Sequence, residues 1–203
     1  MVPDEKLPIA VAVLKKSSLR PCPDHLSCIV SRETRPSPVP AFHMHIGEHD
    51  VSISLRAHSE TLWFAPAPGG PDPACESYYI SACDPSLPGP RPGRGQGAFS
   101  SGGPEVLIPR AHVLLEAYIR LASYFRENFA NFFLSMANYI EEYVECDGLV
   151  DDRLLSDHCR TFWDGIRKGR RPVRELVDEL QVALGDCPNW DCELSNGSDT
   201  QQG

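Results

Sequence analysis

Between residues 110 and 145 apolar side chains recur every three or four positions, and no proline or glycine interrupts them. Leu115, Tyr118, Ala122, Phe125, Phe129, Phe133, Met136, Ile140 and Tyr143 form one stripe, widened by Leu114, Leu121, Phe132 and Tyr139. This spacing predicts an amphipathic helix. A straight helix of that length would measure about 54 Å, more than a small domain's diameter. Either it breaks near Asn128 to Asn131 or its far end packs on something else. Asp147-Gly148 ends the stretch, and Asp151 and Asp152 suit the start of a second helix, where carboxylates favour the positive end. Leu155, Cys159, Phe162, Trp163 and Ile166 give that helix its apolar side, and Gly169 ends it. Pro172 opens a third helix with Val173, Leu176, Val177, Leu180 and Leu184 inward, and Gly185 suits its C-cap.

The first 65 residues read differently. Val51, Ile53 and Leu55 alternate with Ser52, Ser54 and Arg56, the two-residue period of a half-buried strand. Ala41 to Ile46 and Val51 to Ala57 predict a hairpin, with Gly47 at a special backbone angle in the connection. Leu7 to Leu14 reads as a first strand and Glu60 to Phe64 as a third strand of the meander. Half of the 34 prolines and glycines fall between Pro66 and Pro104, where runs such as Pro88-Gly89-Pro90-Arg91-Pro92-Gly93 cannot hold a regular ladder. Tyr78-Tyr79-Ile80 is an apolar island there, suited to a strand returning to the first half.

The expected fold class is therefore α+β. A small antiparallel β meander (1–65) is joined by a Pro/Gly-rich linker or loop (66–106) to a helical unit (107–185) of one long and two shorter helices, with an acidic, disordered tail (186–203). A sheet of so few strands is marginal alone, so it is expected to pack against the long helix in one composite domain.

Charge narrows the function. The net charge is −9, and the excess is uneven: residues 110–203 carry ten cationic and seventeen acidic side chains. That balance argues against a nucleic-acid partner, since the phosphate backbone rewards positive charge. No apolar run approaches the eighteen residues of a membrane span, and the early stretch Ile9 to Leu14 is too short for an export signal. The chain thus reads as intracellular, cytoplasmic or nuclear. In such a compartment the eight cysteines are free thiols or metal ligands rather than a disulfide framework.

Three groups of residues carry candidate chemistry. His43 and His45 are two apart on a strand and share a face, with His49 in the turn beyond; three imidazoles are a set that zinc or iron can use. The simpler reading puts both histidines on the solvent face, with Phe42, Met44 and Ile46 buried and no cofactor needed. The cysteine pairs Cys22/Cys28 and Cys187/Cys192 have five and four intervening residues, and together they offer a second way to bind zinc, clamping the chain ends. Arg167, Lys168, Arg170 and Arg171 form an anion-binding or import patch, or else offset the negative end of the second helix. Phe125, Phe129, Phe132, Phe133 and Tyr139 are core residues or, given the width of their stripe, a surface for a protein partner.

No phosphate loop, nucleophile elbow, metalloprotease helix or dinucleotide fingerprint occurs, so no catalytic residue is assigned. The leading expectation is a non-enzymatic interaction or adaptor protein using the apolar face of its long helix. The alternatives are a zinc-stabilised regulatory module and an enzyme with a scattered site around His43 and His45. The oligomeric state is left open.

Overall fold

The structure is a computed structural model and describes residues 1–22, 28–32, 35, 37–47, 51–70, 72–92, 97–99 and 102–185, the side chain of Asp147 excepted. The hairpin forms where the alternation placed it, but Val51 and Ile53, expected on its buried face, are exposed. Strands β2 (Phe42–His45) and β3 (Ser52–Leu55) are antiparallel, with Phe42 opposite Leu55 and His45 opposite Ser52. Gly47 has φ 62°, the left-handed angle expected of it. The third strand is not Glu60 to Phe64 but a short segment earlier in the chain, β1 (Arg20–Pro21), which pairs with His45 and Met44 and gives the order β1-β2-β3.

Two expected strands are helical. Leu7 to Leu14 lies in α1 (Leu7–Lys15), led in by a 3-10 turn at Asp4–Lys6. Pro8 stands in the first turn, Ala10, Ala12 and Leu14 are good helix formers, and acids precede while lysines follow, all of which favour a helix. Leu7, Ala10, Val11 and Leu14 are half-buried at helical spacing, but the positions between them are apolar too, so the run shows no period in the sequence. Residues 58–61 form a single turn, α2 (His58–Thr61), with the Thr61 hydroxyl donating to the Ala57 carbonyl at 3.1 Å. The turn delivers Leu62 and Ala65 against Val113 and Ala117.

Within the Pro/Gly-rich stretch, a helical turn α3 (Cys75–Tyr78) leads into β4 (Tyr79–Ser81). β4 pairs antiparallel with β5 (Leu107–Pro109), at the entrance to the helices, and not with the first half. The link to the first half is a side chain instead. The Tyr79 hydroxyl donates to the Pro66 carbonyl at 2.8 Å and lies 3.0 Å from Nε2 of His58. With its one proton spent on Pro66, the hydroxyl accepts from His58, so Nε2 carries the hydrogen.

The long aromatic stripe folds back on itself. It makes two helices, α4 (Ala111–Tyr124) and α5 (Ala130–Tyr143), joined through residues 125–129. No proline or glycine forces this break. A straight helix would leave its aromatic side in water, whereas the hairpin stacks Phe133 on Tyr118 (ring centroids 6.4 Å) and sets it tilted against Phe125 (5.7 Å). The Asn128 and Phe129 amides both donate to the Phe125 carbonyl, so the turn leaves those donors satisfied.

α6 (Asp157–Lys168) and α7 (Val173–Leu184) pack on this hairpin. Leu115, Ile119, Leu155, Cys159, Trp163 and Leu176 belong to one continuous core between the four helices. Each large side chain so buried contributes roughly 1.5–3 kcal/mol. The architecture is α+β: a small antiparallel sheet and a C-terminal set of helices.

Candidate metal centre

The three-stranded sheet is poor in core. Of its ten strand residues only His43 and Met44 are buried. The buried histidine leads to the site. Residues two apart on a strand share a face, so β2 presents His43 and His45 together, their ring centroids 5.4 Å apart and their planes at 81°. β1 runs beside β2 and ends at Pro21, and Cys22 follows at the edge of that face. Cys28 comes in over the face at the head of a turn, where its carbonyl accepts from the Ser31 and Arg32 amides at 3.1 and 2.7 Å.

Cys22, Cys28, His43 and His45 converge, their ligand atoms all within 4.8 Å of one another. Cys28 Sγ lies 3.4 Å from His43 Nε2 and 3.6 Å from His45 Nε2. A tetrahedral zinc ion with ordinary Zn–S and Zn–N bonds holds a sulfur and a nitrogen about 3.6 Å apart, so these separations fit an ion at the centre. Cys28 and His43 are buried; Cys22 and His45 are half-buried.

The surroundings favour a thiolate. Burial alone would push the Cys28 thiol up. Hydrogen bonds outweigh it, from the Val30 amide (3.4 Å to Sγ), the Ser31 side chain, Cys22 and the Ser31 amide, and the thiol sits below its ordinary range. A thiolate is the form that binds a metal. The cluster can therefore hold a metal ion, and two thiolates would neutralise a divalent one.

This arrangement corrects the sequence reading in two ways. His43 is buried rather than solvent-facing, because the turn headed by Cys28 covers the histidine face. Ile46, assigned to the buried face, is 42% exposed. The two candidate metal sets also contribute half each: the histidine pair joins the first cysteine pair. His49, Cys187 and Cys192 lie outside the described residues.

Four of the aromatic candidates sit in the α4–α5 hairpin: Phe133 is buried against Leu121 and Ala122, and Phe125, Phe129 and Phe132 are partly buried around it. Tyr139 is 55% exposed and stacks on Tyr143, with centroids 5.4 Å apart. The two line an apolar groove of about 600 Å³ with Leu114, Tyr118 and Met136. In the basic cluster, Arg167 faces Glu145 (2.9 Å), Asp152 (3.4 Å) and Glu141 (3.6 Å), Lys168 faces Asp164, and Arg171 faces Glu175 and Glu179. Arg170 is exposed beyond the end of α6. Among the described residues no helix is long and apolar enough to cross a membrane.

No protein-family model, curated protein or solved structure matches the chain. The site's own chemistry carries the functional reading.

Proposed function

We propose that the chain is a non-enzymatic regulatory or interaction module whose N-terminal sheet is organised by one zinc ion, held by Cys22, Cys28, His43 and His45. The convergence of these four donors carries the reading. Four protein ligands close a tetrahedral sphere, the mark of a structural rather than a catalytic zinc. A sheet with only two buried strand residues also needs such a staple, because small units lack the apolar area to hold themselves together. The aromatic stripe supports a partner surface less well, because four of its five candidates are engaged in the α4–α5 hairpin. Tyr139, beside the groove, remains available to a protein partner.

The test is metal analysis of the full chain purified without chelator, together with a cobalt-substituted sample. The reading expects one equivalent of zinc and the absorption of a tetrahedral thiolate–cobalt centre, both lost in Cys28→Ser. Protein without stoichiometric metal, in which Cys22 and Cys28 react with a thiol reagent as fast with added zinc as without it, would overturn it.

A further inference from the structure

Resting on the zinc reading, we propose that this centre is a peroxide-sensitive switch, in which Cys22 and Cys28 close to a disulfide and the ion is expelled. The two sulfurs lie within 4.8 Å of each other, and neither residue belongs to a strand: Cys22 follows β1 and Cys28 heads a turn. Their backbones are thus freer to draw the sulfurs to the roughly 2.05 Å of a disulfide than the histidines, which are fixed in the β2 ladder.

Access is one-sided. A hollow of about 490 Å³ lies against the cluster, lined by Cys22, His43, Phe42, Met44 and Lys15 among others. Cys28 is not among its lining residues and is only 8% exposed. A small neutral oxidant such as hydrogen peroxide therefore meets Cys22 first. The Cys22 thiolate attacks one peroxide oxygen, the O–O bond breaks, and hydroxide leaves, giving a sulfenic acid. The Cys28 thiolate then attacks that sulfur; the S–S bond forms, the S–O bond breaks, and a second hydroxide leaves. Two protons from solvent convert the hydroxides to water, and the two electrons lost by the sulfurs have reduced the peroxide. The ion has then lost both thiolates, and two neutral imidazoles do not hold it against solvent.

Cys83 and Cys146 are the exposed competitors among the described thiols, Cys75 is half-buried like Cys22, and Cys159 is completely buried. The experiment therefore uses the full-length, zinc-loaded Cys83→Ser/Cys146→Ser variant, whose substitutions lie outside the cluster. It is titrated with hydrogen peroxide. Released zinc is read with a chromogenic chelator, and disulfides are read by non-reducing peptide mapping. We expect one zinc released per Cys22–Cys28 bridge, with rebinding after thiol reduction. Zinc retained after peroxide, or released without that bridge or with a bridge to another cysteine, would overturn the switch while leaving the zinc centre standing. Absence of zinc from the reduced protein, measured before any peroxide is added, would overturn both.

Discussion

At the scale of single residues, the four donors are unequal in what a substitution tests. His45 is half-buried and carries little packing, so His45→Ala removes a ligand without opening the core. Its zinc affinity should fall by about 100-fold or more, beyond what loss of a supporting outer-shell contact costs, as read by competition with a chromophoric chelator. His45→Cys restores a donor and should recover stoichiometric zinc. Equal affinity in the Ala variant and the parent would remove His45 from the site. His58 tests a different property. It faces the Met1 amine, Asp4, Glu5, the Pro66 carbonyl and Tyr79, and burial, the largest influence, holds its pKa below the ordinary histidine value. His112 is lowered too, by burial and then by Arg110. A histidine depressed in the fold binds fewer protons there than in the unfolded chain. Its stabilisation is complete above about pH 6.5 and is lost as pH falls through the window below that value. Denaturant midpoints at equal zinc loading should therefore drop between pH 7 and 5. His58→Gln keeps a donor for Tyr79 but cannot titrate, so it should flatten that drop; an unchanged slope would show that His58 is not the group responsible.

At the scale of elements, two charged contacts of similar appearance differ in weight. Glu116 of α4 is only 7% exposed, accepts the Ser156 amide at 2.9 Å at the start of α6, and takes two hydrogen bonds from Arg120. Arg120 in turn lies over the Phe64 ring at 4.8 Å. Glu116→Ala removes the acceptor of the Ser156 amide and the counter-charge of Arg120, which keeps only the Ser156 hydroxyl at 3.3 Å, in a half-dry site, at a cost of about 3 kcal/mol. Arg167 faces three carboxylates but stands 36% exposed, in reach of water and salt, so Arg167→Ala should cost less than about 1 kcal/mol. Urea unfolding of the two variants decides the ranking, and a larger loss for Arg167→Ala would reverse it. The same elements show what a sequence conveys. α6 and α7 were legible because each buries one side at helical spacing between clear stop signals. The hairpin was legible because strand alternation and Gly47 agree. α1 was not, since a run that is apolar at every position carries no period. The metal set was visible only in halves. His43 and His45 share a face by strand geometry, but their one-residue spacing and the five residues between Cys22 and Cys28 depart from the usual helix- and knuckle-borne patterns. What joins them is the pairing of Arg20–Pro21 with Met44–His45, a long-range contact that no local spacing encodes.

For the whole molecule, the distribution of buried area says what an ion bound at the cluster would hold together. The helical core from Leu115 to Leu180 contains eleven buried residues in one cluster and closes without help from the N-terminal sheet. The sheet offers Met44 and His43 as its buried strand residues, and its neighbours on the helical side are reached through Leu62, Ala65 and the Trp63–Tyr124 ring contact at 5.3 Å. Structural zinc binds finger-like peptides with an apparent roughly 10–16 kcal/mol, as much as an entire domain's stability. Removing the ion should therefore unfold the sheet and spare the helices. With a strong chelator, amides of Phe42–His45 and Ser52–Leu55 should lose their protection from hydrogen exchange. Those of α4 to α7 should keep theirs, and the helical far-ultraviolet signal should change little. Added zinc should restore the protected strands in proportion to the ion bound. Two outcomes would contradict this division. Cooperative loss of protection in all helices would make the centre the keystone of the entire fold, and unaltered protection in the strands would mean that the hairpin stands on β-pairing and Met44 alone.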